Sequence, residues 1–325
     1  MIRKIGLLIW MAVAEPLSLG APAGDFELRG KIVLPGGDPI KEVVPVVILE
    51  GATAPFSSRS LVLPSGDFKI GDLEIGTYRL TILAPNWGQM TVSIDIGPGT
   101  ADEKNRVNRE FEFIPRKDSD GWGTISASQL ALPEDAWRGL RKAESKLAKR
   151  DTKGATQELQ RLVEKYPHFP SAWNRLGTIA YLTGRYVDAE HYFTRALEDS
   201  PELYAPLVNI AAVYLDLGKV DLALATNLRC VQLRPDDPLA WSQLGRTQFV
   251  LGQFDESLGS LGKARELDAR HSSSPQLVMA QIYLMREKRQ KAVTLLEEFL
   301  QLHPDYPQAD TIRQLIDQVQ AKMPH

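Results

Sequence analysis

Prolines recur at a constant interval in the second half of this 325-residue chain. Pro167, Pro201 and Pro235 follow one another at 34 residues, and Pro304 comes 69 residues later, with Ala269 at the position between them. A repeated unit of this length holds one helix–turn–helix, which cannot bury its own apolar face. Neighbouring units must therefore stack, and the interval predicts a helical solenoid.

The apolar residues of this half also recur with helical spacing. The repeat from residue 170 shows the pattern most completely, with small residues at its eighth and twentieth positions and large apolar residues around them. The small residues let two helices approach closely, the large ones fill the remaining space, and a proline stops the second helix. The residues that carry this pattern are Trp173, Leu176, Gly177, Tyr181, Ala189, Phe193, Ala196 and Pro201.

This pattern resembles the tetratricopeptide repeat (TPR). The resemblance implies five repeats and a capping helix within 307–325, whose apolar stripe docks while its polar face stays in water. One repeat departs from the pattern, with Asn227 where an aromatic residue is usual and Cys230 where alanine is usual. The predicted repeats are 136–169, 170–203, 204–237, 238–272 and 273–306.

The first half of the chain has a different period. Residues 26–34, 77–83 and 90–96 alternate apolar and polar side chains, and residues 107–114 close the set. A period of two places every second side chain on one face of a strand. Clusters of glycine, proline, asparagine and aspartate separate these segments and predict turns. The pattern indicates roughly seven short strands and a small β-sandwich.

This half resembles the carboxypeptidase regulatory-like domain, which is a transthyretin-like sandwich. The segments 30–37, 65–70 and 73–78 carry the resemblance, the last with Gly-Thr-Tyr at the start of a strand. We therefore predict a multidomain β + α fold: a small antiparallel β-sandwich of the transthyretin/immunoglobulin-like type at 24–115, a linker at 116–135 and an all-α TPR solenoid. Related sandwiches include carbohydrate-binding modules, so Trp87 is a candidate sugar contact. The alternative is a rim aromatic residue that covers the end of the sandwich.

The N-terminus has the pattern of a secretory signal. Arg3 and Lys4 precede ten apolar residues at 5–14, which are too few to cross a bilayer, since a spanning helix needs about 20. A small-x-small motif ends at Ala23, which predicts a signal peptide at 1–23 and a mature N-terminus at Gly24. The expected location is periplasmic or secreted, with no membrane span after cleavage. The alternative is an N-terminus that is disordered or part of the core.

Composition excludes several classes of function. A net charge of −3 provides no overall excess of positive charge of the kind that binds nucleic acid. The single cysteine excludes an internal disulfide and a multi-cysteine metal site, and no two of the five histidines have helical ligand spacing. Phosphate-binding, nucleophile-elbow and zinc-protease motifs do not occur in the sequence. We predict no metal, no cofactor and no enzymatic activity.

TPR arrays bind partners along the concave face that their first helices form, and the resemblance assigns the inner positions of each repeat. These positions hold a mixture of amide, hydroxyl and apolar side chains, which suits a protein or peptide segment better than a strongly charged ligand. The candidate partner-binding residues are Asn174, Thr178, Tyr181, Asn209, Leu215, Gln243, Arg246 and Phe249. Further inner positions, also expected to be exposed, hold Val208, Ala212, Ser242, Leu277, Gln281 and Leu284.

Some TPR domains grip an acidic C-terminal tail with a clamp of lysines, asparagines and an arginine. In this chain the clamp positions hold Asn174, Thr178, Asn209, Leu239 and Gln243. Asn209 alone matches the clamp, and neutral residues fill the cationic positions. Since a carboxylate needs charged donors to compensate for its desolvation, we expect a neutral, partly apolar ligand.

The predicted function is that of an exported, non-enzymatic scaffold or adaptor for protein–protein interaction. The alternative is a carbohydrate-binding protein whose sandwich holds a glycan while the solenoid recruits a partner. The third hypothesis, an enzyme, is disfavoured because the sequence shows no acid–base or nucleophile grouping. For the inner face itself, the alternative is a solvated surface that holds no ligand.

Overall fold

The computed structural model describes most of the chain outside its N-terminus and the predicted linker. Its residues form two compact units, one that ends at Leu217 and one that begins at Gly218. The first unit contains the described strands and five helices, and the second contains six helices. The described residues are 26–36, 38, 44–52, 55–84, 88–114, 132–198, 201–271 and 273–323.

Seven strands are described in the first unit. They pair as a three-stranded sheet in the order β4-β1-β7 and a four-stranded sheet in the order β3-β2-β5-β6. All of these pairings are antiparallel except that of β1 with β7, which is parallel and was not predicted. The strands are β1 Phe26–Val33, β2 Val46–Gly51, β3 Ser57–Leu61, β4 Asp67–Leu73, β5 Gly76–Ala84, β6 Gly88–Ile96 and β7 Arg106–Glu112.

The apolar faces of the two sheets pack against each other and form one shared core. On β5 the side chains of Tyr78, Leu80 and Ile82 are buried, while the residues between them are half-exposed. Phe68 on β4 lies over Gly30 on β1, where a Cβ atom would be only 2.1 Å from the phenyl ring. The period-two pattern therefore produces the predicted β-rich domain of two sheets.

Eleven helices are described after residue 132. In sequence they form five consecutive pairs and a final single helix, so the predicted β + α fold class is confirmed. The helices of the first unit are α1 Glu134–Ala148, α2 Thr152–Lys165, α3 Pro170–Leu182, α4 Tyr186–Leu197 and α5 Tyr204–Asp216. Those of the second unit are α6 Val220–Leu233, α7 Pro238–Val250, α8 Phe254–Leu267, α9 Pro275–Met285, α10 Arg289–Leu302 and α11 Ala309–Gln320.

Local sequence explains where these helices begin and end. Proline occupies the first helical position of α3, α7 and α9, where its missing N–H would have no intrahelical acceptor. Gly184 lies between α3 and α4, and Gly252 lies between α7 and α8. Their φ angles are +73° and +76°, which is the left-handed conformation that costs glycine little. Asp151 caps α2 by accepting a hydrogen bond from the Gly154 amide at 2.8 Å.

In several repeats, the side chain of the fourth residue donates a hydrogen bond to a backbone carbonyl in the segment that connects the repeat to the preceding one. The indole N–H of Trp173 donates to the Pro167 carbonyl at 2.7 Å, and the indole of Trp241 donates to the Pro235 carbonyl at 2.7 Å. In the last repeat the side-chain amide of Gln276 donates at 2.7 Å to the carbonyl of Ala269, the residue that replaces the proline. Glutamine thus makes the hydrogen bond of the tryptophan that it replaces.

The final helix, α11, is amphipathic. Its apolar residues Ile312, Leu315, Ile316 and Val319 are buried in the core of the second unit with α9 and α10. Its polar residues Arg313, Gln314, Asp317 and Gln318 are exposed. One face of the helix thus covers the apolar surface of the last pair and the other stays in water.

Candidate partner-binding surface

In the first unit, the predicted inner positions lie on the neighbouring helices α3 and α5. The side-chain amide of Asn209 on α5 donates a hydrogen bond to the Asn174 side-chain oxygen on α3, with a nitrogen–oxygen distance of 3.2 Å. Both residues are half-buried. The structure therefore brings two predicted site residues into direct contact.

The other predicted residues of this unit are also half-buried. The hydroxyl of Thr178 donates to the Asn174 backbone carbonyl at 3.0 Å, within its own helix. The ring of Tyr181 packs against that of Tyr186 with 5.7 Å between centroids. Leu215 on α5 adds an aliphatic side chain. These helices together present amide, hydroxyl, aromatic and aliphatic groups, which can contact an extended polypeptide through its backbone and its apolar side chains.

In the second unit, the predicted residues lie on α7. Arg246 and Phe249 are half-buried, and Arg246 forms no ion pair with the described residues of this unit. The ring of Phe249 packs on Phe254 with 5.8 Å between centroids. Gln243 is only 6% exposed, and its side-chain oxygen has no hydrogen-bond partner among the described residues. Gln243 is thus the one residue of the predicted set that the fold buries.

Several of the further inner positions are not exposed as expected. The side chains of Val208, Ala212, Ser242, Leu277 and Gln281 are buried, and Leu284 is half-buried. The expectation of exposure was wrong because it treated each first helix as open along a whole face. Packing between elements covers part of that face.

Arg175 on α3 is an inner-face residue that the sequence analysis missed. Its guanidinium nitrogen Nη1 lies 2.7 Å from Glu50 Oε1 on β2, and Nη2 lies 3.5 Å from Glu144 Oε1 on α1. All three side chains are between 20% and 29% exposed. Its sixth position in the repeat could have drawn attention to Arg175, but Glu50 lies 125 residues earlier in the chain, so no local pattern reveals the pair.

Burial and charge act in opposite directions at this cluster. Burial raises the pKa of the Glu50 carboxyl, but the Arg175 and Arg79 guanidiniums outweigh burial and hold this pKa below its usual value. Burial lowers the pKa of Arg175, and the Glu50 and Glu144 carboxylates reverse that effect and raise it. Both partners are therefore charged, and the pair is an ion pair.

A second arginine joins the helices of this unit to the sandwich. Arg150, which follows α1, donates to the Asp72 carbonyl at 2.7 Å and lies 2.9 Å from a Glu74 carboxylate oxygen. Its guanidinium also lies over the Phe56 ring, 5.6 Å from the centroid. Contacts between α1 and β3 accompany these polar links. The β-sandwich is thus attached to the first helices at two separate points.

Other predicted features either lie outside the described residues or carry no site. The signal segment 1–23, Gly24, Trp87 and most of the linker at 116–135 are outside them. Across the part of the chain that the structure describes, no cluster of acidic, histidine or cysteine side chains has the composition of a metal site. Within the same residues, no helix has the length and apolarity of a membrane span. Cys230 is buried, and burial raises the pKa of its thiol to about 12.

Family models described as tetratricopeptide repeat match residues 140–204, 180–242 and 276–306. These matches confirm that the chain contains TPR repeats, while the predicted bounds of the five repeats stay a prediction. The chain is also similar to Hsp70-Hsp90 organizing protein 2 of Arabidopsis thaliana, with 32% identity over 163 residues, which cover 50% of this chain and 26% of that protein. Heat shock protein STI1 of Saccharomyces cerevisiae is 30% identical over 122 residues, or 36% of this chain and 20% of that protein.

The chain thus spans about a quarter or less of the length of the curated relatives that it matches. Among solved structures, YrrB, whose structure is described as a TPR protein with an unusual peptide-binding site, is 23% identical with a TM-score of 0.45. That likeness covers 59% of this chain and 100% of YrrB.

Proposed function

We propose that this protein is a non-enzymatic scaffold that binds an extended, uncharged and partly apolar protein segment along the first helices of its TPR repeats. The observation that carries the proposal is the pair of neighbouring inner faces on α3 and α5. There the bonded amides of Asn174 and Asn209 lie on the helices that also carry the half-buried side chains of Tyr181 and Leu215. Amides can bind the backbone of a peptide, and the apolar groups can bind its side chains.

The name of one curated relative, Hsp70-Hsp90 organizing protein 2, connects that protein with the chaperones Hsp70 and Hsp90. The residues of this chain argue against an acid-ended tail as its own ligand. The clamp positions carry no cation. Arg175 is nearby, but two carboxylates neutralise it. Because an unpaired carboxylate would be desolvated here without compensation, a neutral segment is favoured.

Peptide binding by the full chain tests this proposal. An array of labelled peptides of equal length, either neutral and partly apolar or acid-ended, would be titrated into the wild type and into Tyr181→Ala and Asn209→Ala. Neutral peptides should bind, and each substitution should weaken binding by about tenfold or more. Thr194→Ala, on the exposed side of α4, is the control and should leave binding unchanged. Tight binding of an acid-ended peptide that is lost in Asn209→Ala would contradict the proposal.

We also propose that the scaffold acts outside the cytoplasm. The support is the basic start and the short apolar run at residues 5–14, followed by the small-x-small motif before Gly24. Cell fractionation and N-terminal sequencing test this. An intact Met1 in the envelope fraction would contradict cleavage.

The transthyretin-like identity of the sandwich and a role in glycan binding stay predictions. They rest on the sequence resemblance and on Trp87, which lies outside the described residues. Retention of the full chain on immobilised polysaccharide, lost in Trp87→Ala, would favour the carbohydrate alternative. Equal behaviour of the two proteins on every polysaccharide would reject Trp87 as the contact.

A further inference from the structure

Arg175 is the one cation at the inner positions of α3 and α5, and two carboxylates already form ion pairs with it. The nearer of its two carboxylate partners, Glu50, comes from the β-sandwich, at 2.7 Å. The farther partner, Glu144 at 3.5 Å, comes from α1 of the same helical array. The sandwich therefore places a carboxylate beside α3, at the guanidinium of Arg175.

The charges at this cluster balance. Two guanidiniums, Arg79 and Arg175, act on the Glu50 carboxylate, and Glu144 supplies the second negative charge. Arg79 pairs directly across the strands with Glu50 in the register of β2 and β5. Removal of the Glu50 carboxylate would leave one positive charge in excess at a largely buried position, and such a charge favours an anion from solution.

We propose that Arg175 is a carboxylate-binding site on the inner face, occupied in cis by Glu50, and that an acidic side chain of a partner can take the place of Glu50. This inference rests on the proposed scaffold function and adds a condition to it: an uncharged segment is favoured while Glu50 holds Arg175, and an acidic side chain binds there only when it displaces Glu50. Because Glu50 is tethered to the same chain, its effective concentration at Arg175 is high, and a free carboxylate competes poorly in the wild type. The contact is thus autoinhibitory toward acidic ligands.

The second attachment keeps the arrangement intact when Glu50 is changed. Arg150 binds the Asp72 carbonyl, the Glu74 carboxylate and the Phe56 ring without using any atom of Glu50 or Arg175. A Glu50 variant should therefore empty the carboxylate position while the sandwich stays in place. This independence makes the site testable in the full chain.

The experiment titrates N-acetyl-glutamate methylamide, which mimics an acidic residue within a chain, into 15N-labelled full-length protein. N-acetyl-glutamine methylamide at the same ionic strength is the matched neutral probe. The proteins are the wild type, Glu50→Ala and Glu50→Ala/Arg175→Gln. The readout is the shift of the backbone amides at residues 49–51 and 174–178. Should Glu50→Ala not fold, Glu50→Ser takes its place.

We expect a saturable shift with the glutamate probe in Glu50→Ala, no shift with the glutamine probe, and loss of the shift in the double variant. The wild type should respond more weakly than Glu50→Ala. An equal response of the double variant would assign the anion to Arg79 or to the general charge and overturn the proposal, as would no response in Glu50→Ala. Since no peptide from the scaffold test is used, either proposal can fail without the other.

Discussion

Gly177 on α3 faces the ring of Phe193 on α4 so closely that a Cβ atom at position 177 would lie 2.5 Å from Phe193 Cε1. The Phe193 side chain is fully buried and cannot move aside without disturbing its neighbours. Glycine at the eighth position therefore sets the distance between the two helices of this pair. In the second unit, Gly245 has the same relationship to Leu261, at 2.6 Å from its Cγ atom.

The close approach predicts that Gly177→Ala destabilises the protein. Alanine ordinarily favours a helix interior over glycine by about 1 kcal/mol. Here the added methyl group overpacks a buried contact, which costs about 1–3 kcal/mol and reverses that gain. Urea unfolding should show a lower midpoint for Gly177→Ala than for the wild type.

Gly259→Ala and Gly262→Ala are the matched controls for this prediction. Both glycines lie within α8, and a Cβ atom at either position would meet nothing within 4 Å. The two controls should raise the midpoint or leave it unchanged. Gly177→Ala as stable as the controls would mean that the close contact does not determine the helix distance.

The second prediction concerns Gln276, whose side-chain amide donates a hydrogen bond to the Ala269 carbonyl. We expect this hydrogen bond, and not the size of the side chain, to determine the effect of substitutions at this position. The Gln276 side chain is fully buried, and its nitrogen also lies 3.5 Å from Glu298 Oε1. Gln276→Glu removes the donor and places a carboxylate beside a carbonyl and a second carboxylate, at a cost of about 3–5 kcal/mol. Thermal and urea unfolding measure the loss.

Two further variants separate charge from shape at this position. Gln276→Leu loses the hydrogen bond but also removes an oxygen that has no partner among the described residues, so its cost should be smaller, about 0.5–1.5 kcal/mol. Gln301→Glu, on the exposed side of α10, should change stability by less than about 0.5 kcal/mol. Similar stabilities for Gln276→Glu and Gln276→Leu would refute the role of the amide.

The Glu50–Arg175 ion pair predicts a dependence of stability on pH. Burial raises the pKa of Glu50, yet the two guanidiniums set it below the value of 4.5 expected in an unfolded chain. Its charged form therefore stabilises the fold above that value, and this stabilisation is lost as the pH falls through the lower folded-state pKa. The stability difference between the wild type and Glu50→Gln should be largest at neutral pH and shrink in acid.

Urea unfolding of both proteins from neutral to acidic pH measures this difference. Glu164→Gln, which removes an exposed carboxylate from α2, is the control. A difference between the wild type and Glu50→Gln that stays constant over the whole range would show that the Glu50 charge contributes nothing to folding.

We predict that the thiol of Cys230 does not react in the native protein. Burial, aided by the negative charge of Asp237, raises its pKa to about 12. At pH 8 the thiolate fraction is then on the order of one in ten thousand, and the sulfur is also inaccessible. Ellman's reagent should react with the protein in urea and hardly at all without it. Equal rates in both conditions would show that the thiol is exposed.

Local periodicity was enough to predict most of the secondary structure. The alternating segments at 26–34, 77–83 and 90–96 correspond to β1, β5 and β6 with ends that differ by at most two residues. The small residues at Gly177 and Ala189 likewise indicated where helices touch. Such features follow from sequence because each depends on residues a few positions apart, through the two-residue period of a strand or the turn of a helix.

The candidate site could be predicted only in part. Seven of the eight predicted inner residues are half-buried, and Gln243 is buried. A repeat frame assigns a direction to each side chain on its own helix, but burial depends on what packs against that helix. The position of a residue in the repeat therefore predicts the side of the helix on which it lies, but it does not establish which atoms a partner can reach.

The sequence by itself determined the two periods, the repeat, the small residues between helices and the absence of familiar catalytic motifs. The tertiary structure alone decided that β1 pairs in parallel with β7 and that Glu50 of the sandwich binds Arg175 of α3. These contacts join residues that are far apart in the chain, and many pairings of the same elements would satisfy the same local patterns. Their selection depends on the balance of burial, charge and hydrogen bonding over the whole unit, which no short stretch of sequence contains.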